Sequence, residues 1–373
     1  MKQIVLHIRN NGIGVDIEFP CTEEKLSKSL NAIGIADAAL GKRYAAEVVE
    51  PEELVILENQ TLDLDEVNYL AKLMDSEDAA ERKTLFAVAA YEGYGSPKEF
   101  INLHFNLGCY TLVQPTDDAE AIGRRYLYSV KGCMTLDEVE NTDFEKIGRE
   151  LLASNKGVLT AYGTLIRNEG VAEEEYYNEQ VFPCYHYTGK ELLCVEAGYK
   201  GKREYLYLPD EPMAITKALH RLGAEKPEDC TYQVEDFNAD SKEWQERFER
   251  MVQSENIFDV NTVAKKLNNA DMELDKLEGV VKYTGDDSAK VIAKLAEHID
   301  DFEFVDRATD YEDVGQYAVD VTFGAEIPAE LESFIDLKGV GEHMEEEYAG
   351  KFVEGGFVYN NEKKSIDEVL GGI

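Results

Sequence analysis

The sequence predicts an α+β protein built as an elongated tandem duplication. Each half reads as a small antiparallel-sheet α+β unit, a helical middle section and a closing α+β unit. Three observations carry this. First, the chain has 373 residues, more than one ordinary core accommodates. Second, the hydrophobic period changes from two to helical and back within each half. Third, the stretch from Asp117 to Gly163, which reads DDAEAIGRRY, TDFEKIGREL and GVLTAYG in turn, has a partner in DYEDVGQYAV, IDLKGVGEHM and GKFVEGG. Gly123 falls on Gly315, Gly148 on Gly341, Gly157 on Gly350 and Gly163 on Gly356. A fixed long period of this kind is the signature of repeated units.

In chain order, QIVLHI and VDIEF alternate apolar and polar residues as two short strands do, and Asn10-Asn11-Gly12 between them is hairpin chemistry. Pro20 ends the second strand. Thr22 then starts a helix with Leu26, Leu30 and Ile33 on one face and Gly34 as its stop. YAAEVVE follows as a third strand. In the second half EYLYLPDEPMAITKALHRLG repeats the phrase, with Leu208, Pro209, Ile215, Leu219, Leu222 and Gly223 at positions 189 beyond Phe19, Pro20, Leu26, Leu30, Ile33 and Gly34. TYQVEDF takes the place of the third strand.

From Leu62 the period becomes helical, with Leu64, Val67, Leu70, Ala71 and Met74 on one face. VNTVAKKL echoes VNYLAKLM, now 193 residues on. CYTLV and FEFV read as short strands. The acidic segments after them read as helix starts, with carboxylates in the first turn where the helix dipole favours them. VLTAYGTLI and FVEGGFVYN read as the last strands. The expected sections are 1–60, 61–107 and 108–165 in the first module, a linker at 166–178, and 179–240, 241–299 and 300–373 in the second. The linker is expected from RNEGVAEEEYYNE, and residues 360–373 from their composition as a polar tail with a last helical turn.

The formal charge is −38, from 76 acids against 38 bases. Residues 1–189 hold 33 acids and 17 bases, and the remainder 43 and 21, so the excess is expected over both halves. Such a charge disfavours nucleic acid, anionic membranes and anionic substrates, and favours basic partners. No apolar run reaches the ~20 residues that span a bilayer. The six cysteines show no CxxC, which fits reduced thiols in the cytoplasm.

The sequence holds no phosphate-binding glycine loop, no dinucleotide fingerprint, no G-x-S-x-G elbow and no H-E-x-x-H. Cys184 and His186 alternate on a strand-like stretch with Cys194 nearby, but the local sequence lacks the further ligands a tetrahedral zinc needs. No cofactor or metal is expected, and no catalytic residue. Paired carboxylates abound, so a carboxylate-based hydrolase is the weaker alternative.

Closely spaced carboxylates can stand in for phosphate. At one charge per ~1.7 Å of duplex axis, the net charge would match at most about 65 Å of B-DNA. The motifs VDIEFPCTEEKL, LDEVNYLAKLM, DDAEAIGRRY and TDFEKIGREL in the first half, and DVNTVAKKL, AEHIDDFEFV, DYEDVGQYAV and IDLKGVGEHM in the second, go further. Each half resembles the antirestriction protein ArdA family, acidic DNA mimics carried by mobile elements. The resemblance implies an inhibitor, not an enzyme, that occupies the DNA channel in the methyltransferase core of type I restriction-modification enzymes. Another basic DNA-binding protein or defence nuclease is the alternative target. Family members are about the length of one half and pair into dimers. The fused halves therefore imply a pseudo-dimer within one chain, with a homodimer of tandem chains as the other arrangement.

The acids expected on the partner-binding face are Asp117, Asp118, Glu120, Asp137, Glu138, Glu140, Asp143 and Glu145 in the first half. In the second they are Asp310, Glu312, Asp313, Asp336, Glu345, Glu346 and Glu347.

Overall fold

The computed structural model describes residues 4–35, 43–58, 60–113, 118–154, 157–269, 272–325, 327–328 and 334–371. The fold is α+β, with small antiparallel sheets and helices in two compact units, Met1–Tyr187 and Thr188–Ile373. Among the described residues no helix is long and apolar enough to cross a membrane.

The first unit opens with the hairpin β1(Ile4–Asn10) and β2(Ile13–Phe19), paired from Ile4↔Phe19 to Asn10↔Ile13. Asn11 and Gly12 turn it at φ 49° and 83°, the conformation a two-residue hairpin loop needs. Thr22 caps α1(Glu23–Ala32) by accepting from the Lys25 amide, and Leu26 and Leu30 face the sheet. β3(Arg43–Glu50) and β4(Thr61–Asp63) complete a four-stranded sheet of order β2-β1-β3-β4. Thus 61–63, expected within the helical middle, belong to the opening sheet, where Arg43 pairs with Asp63.

The middle is α2(Leu64–Ser76), α3(Ala79–Glu92) and α4(Pro97–Asn106). Its buried Val67, Leu70 and Ala71 join Leu6, Ile17, Phe19 and Leu26 in one apolar cluster, so opening and middle sections share a core. The closing section comprises β5(Tyr110–Val113), α5(Ala119–Lys131), α6(Leu136–Asn141), α7(Phe144–Ala153), β6(Gly157–Thr160) and β7(Gly163–Arg167), with strand order β5-β7-β6. It has a small core of its own, Val113, Ile122, Leu151 and Ile166.

The segment 166–178 is not a linker. Ile166 and Arg167 are in β7, and residues 168–187 run without regular secondary structure along α4 and α2. Asn102 of α4 accepts from the amides of Tyr176 and Tyr177 at 2.7 and 2.9 Å and donates to the Tyr177 carbonyl at 2.8 Å. Asn106, one turn on, holds the Glu174 amide and carbonyl in the same way at 3.0 and 2.8 Å. Phe182 stacks on Tyr69 of α2 with centroids 4.4 Å apart, and Tyr187 donates to Asp75 at 2.7 Å. Acidic composition suggested solvation here, but the backbone groups find side-chain partners instead. The stretch bearing Cys184 and His186, expected as a strand, belongs to this irregular segment and to the first unit.

The second unit opens with β8(Leu193–Tyr199) and β9(Lys202–Leu208), turned by Lys200 and Gly201 at φ 48° and 83°. α8(Pro212–Leu222) and β10(Thr231–Phe237) follow, and the sheet order is β10-β8-β9. The middle has four helices, α9(Lys242–Ser254), α10(Ile257–Leu267), α11(Leu274–Thr284) and α12(Ala289–Glu297). Arg247 is buried there, bidentate to Glu278 at 2.8 and 2.9 Å.

The closing section is β11(Phe302–Asp306), α13(Tyr311–Tyr317) continued by a π-helical turn at Ala318–Thr322, α14(Leu337–Glu347), β12(Lys351–Val353) and β13(Gly356–Asn360). Strand order is β11-β13-β12, over a core of Val305, Val314, Met344, Phe357 and Tyr359. The last helical turn expected in the tail is α15(Ile366–Leu370), which buries Val369 and packs on α12.

Two devices occur in both units. Asn68 of α2 clamps Cys21, accepting from its amide at 2.9 Å and donating to its carbonyl at 3.0 Å. Asn261 of α10 does the same to Asp210 at 2.8 and 2.9 Å. The second device is a glycine crossing. A Cβ on Gly123 would lie 2.0 Å from the Phe144 carbonyl oxygen, and one on Gly148 1.8 Å from that of Ala119. Gly315 meets Leu337 at 1.8 Å and Gly341 meets Tyr311 at 2.0 Å. Each closing helix pair therefore touches backbone to backbone at two glycines.

Candidate functional site

The charge is unevenly placed. Residues 300–373 hold 20 acids against 5 bases, a net −15, whereas residues 108–165 hold 9 against 6, a net −3. Both halves carry an excess of acids, and within the second most of it lies in the closing section.

In that section the acids are organised by α13 and α14. Asp310 caps α13 by accepting from the amides of Glu312 and Asp313 at 2.9 and 3.1 Å. Asp336 caps α14 through the Gly339 amide at 3.0 Å. The Thr309 amide and hydroxyl donate to Asp313 at 2.9 and 3.0 Å and hold its carboxyl below the usual range. Glu345 accepts from the Tyr311 hydroxyl, which raises the phenol's pKa. Glu312, Glu345, Glu346 and Glu347 are exposed. Lys338, 3.5 Å from Glu342, is the one base paired to an acid of these two helices among the described residues. The Gly315–Gly341 crossing removes the side-chain layer between the two helices and brings them into backbone contact.

The equivalent pair in the first unit is largely neutralised. Glu120 pairs with Arg124 at 2.8 Å, Glu145 with Arg149, and Glu150 with Lys146 at 4.0 Å. Glu138 closes a capping box with Thr135 and pairs with Lys131 at 3.1 Å; the Thr135 amide and that lysine hold its pKa at about 2. Asp118 and Asp143 cap α5 and α7, and Asp137 accepts from Asn141 at 3.1 Å. Glu140 is exposed. Asp117 lies outside the described residues. Hence Asp118, Asp143, Asp310 and Asp336, read from sequence as display acids, each also hold a helix start, where a cap stabilises by ~1 kcal/mol.

What composition could not reveal was a neighbouring pair of acids in the first unit, Asp63 half-buried and Glu66 buried. The carboxyls of Asp63 and Glu66 are both pushed up, chiefly by burial. Glu66 is 5% exposed and accepts from the Tyr177 hydroxyl at 2.8 Å. Asp63 caps α2. Both lie in packing rather than in an open cleft, so neither has the setting of a catalytic acid. The signal in sequence was the tyrosine pair of the segment misread as a linker.

All six cysteines are free thiols. Residues 200–359 match the family model of the antirestriction protein (ArdA). This is less than half of the chain, and it takes in the second unit's opening, middle and closing sections. No curated protein matches the chain.

Proposed function

We propose that the chain is an acidic DNA mimic that inhibits a type I restriction-modification enzyme by occupying the DNA-binding surface of its methyltransferase core, with the second unit as the main docking element. The observation that carries this is the excess of 20 acids over 5 bases in residues 300–373, part of it on one glycine-crossed helix pair inside the family match. A basic DNA channel is attracted to such a surface over the screening distance of ~8 Å at physiological salt, so association should weaken steeply as salt rises.

The tandem reading belongs to the same proposal. The hairpin turns, the asparagine clamps and the glycine crossings recur at offsets of 189 to 193 residues, which supports two modules of one origin fused into a pseudo-dimer. In the first module Glu120 and Glu145 of the corresponding helices, and Glu138 between them, are ion-paired, which supports a lesser share of binding for that half.

The test is a titration of a purified type I methyltransferase core with the protein at several salt concentrations, with and without duplex DNA carrying the recognition site. Saturable binding that DNA competes away, and that weakens with salt, is expected. Binding indifferent to DNA, or none, would sink the type I assignment. Binding to another basic DNA-processing enzyme in the same format would redirect the target while keeping the mimicry.

A further inference from the structure

Residues 173–187 are held as a bound peptide would be. Asn102 and Asn106, four residues apart on α4, recognise main-chain amides and carbonyls at 2.7–3.0 Å. Tyr69 takes the Phe182 ring, and buried Glu66 takes the Tyr177 hydroxyl. The segment has no secondary structure of its own, so α2 and α4 supply its order. It is joined to the sheet through Asn168, whose amide donates to Cys109 at 2.8 Å, and then through the exposed residues 169–171, where Gly170 sits at φ 79°.

We propose that this strap exchanges between two copies of the chain, each first unit holding the partner's residues 173–187. The groove reads backbone and aromatic groups, which are the same in cis and in trans, so exchange keeps every contact and alters only the hinge. The cis arrangement is favoured by an effective concentration of order millimolar for a short connection. Repulsion between chains of charge −38 opposes the trans form further at low salt. Exchange is therefore a property of crowded, salt-screened conditions, and shortening the hinge forces it.

Two measurements on the full chain test this. In the first, Lys98→Cys and Glu175→Cys are placed on separate chains, both lacking the exposed Cys133 and Cys184 by Ser substitution. The wild-type residues form a 2.8 Å pair between α4 and the strap. The two chains are mixed concentrated at high salt and treated with a short bismaleimide. A covalent heterodimer carrying both chains is expected, and its absence overturns the proposal. In the second, deletion of 169–171 should double the mass by light scattering while the amides of Glu174, Tyr176 and Tyr177 stay protected from hydrogen exchange. A monomer with protected amides overturns the proposal, and so does a dimer in which those amides are exposed. Neither readout involves a restriction enzyme, so failure here leaves the proposed function standing.

Discussion

Gly315 of α13 lies so close to Leu337 of α14 that a Cβ on the glycine would sit 1.8 Å from the leucine's carbonyl oxygen. No side chain can occupy that gap without separating the helices. Gly315→Ala should therefore destabilise the second unit by about 3 kcal/mol, at the upper end of overpacking effects. Gly123→Ala should do the same in the first unit. Urea denaturation followed by circular dichroism reads both, and a change under about 0.5 kcal/mol would refute the backbone-contact account.

The asparagine clamps offer a second check. Asn68→Ala leaves the Cys21 amide and carbonyl without their side-chain partner, and Asn261→Ala does the same to Asp210. Each should cost about 1 kcal/mol, the usual net worth of such hydrogen bonds where solvent has partial access. Equal losses at the two sites are expected, since the geometry is the same; a loss at one alone would argue against an equivalent role.

For function, replacing Glu345, Glu346 and Glu347 together with Gln should weaken binding to the methyltransferase core roughly tenfold at low salt, chiefly through the association rate. The matching change at Glu120, Glu140 and Glu145 should alter it by less than about twofold, because two of those acids already face arginines. Surface plasmon resonance at two salt concentrations distinguishes the cases. A larger loss from the first-unit variant would reverse the assignment of the docking unit.

Acid should reveal the capping box at α6. Glu138 has a folded pKa of about 2 against an ordinary 4.5, so its contribution is present above pH 4.5 and is lost as pH falls towards 2. Glu138→Gln should have a lower melting temperature than the parent at pH 7, and the gap should close across that window. A gap independent of pH would mean that the charge plays no part.

Glu66 should behave in the opposite sense. Burial raises its pKa above 4.5, so the ionised carboxylate is a cost at neutral pH that disappears below 4.5. Gln keeps an acceptor for the Tyr177 hydroxyl without the charge. Glu66→Gln should be more stable than the parent at pH 7 and equal to it in acid, as thermal melts across pH would show.

Much of this fold was legible from periodicity. Leu26, Leu30, Val67 and Leu70 were read as core faces, and all four are buried. The candidate site was legible only as a census of acids. Asp118 and Asp310 looked alike as carboxylates and are alike as helix caps, yet the helices they start differ in how many bases answer the acids. Composition was misleading at 166–178, because an acidic run describes side chains and says nothing of where the backbone finds hydrogen bonds.

By itself the sequence determined the α+β class, the repeated phrases and the glycine positions, since local turn chemistry and hydrophobic period are properties of neighbours in the chain. Tertiary structure decided that Gly315 and Gly341 bring two acidic helices together and that Asn102 and Asn106 seize an irregular strap. Each of those depends on groups tens of residues apart meeting within hydrogen-bonding or contact distance, and no local pattern encodes that meeting.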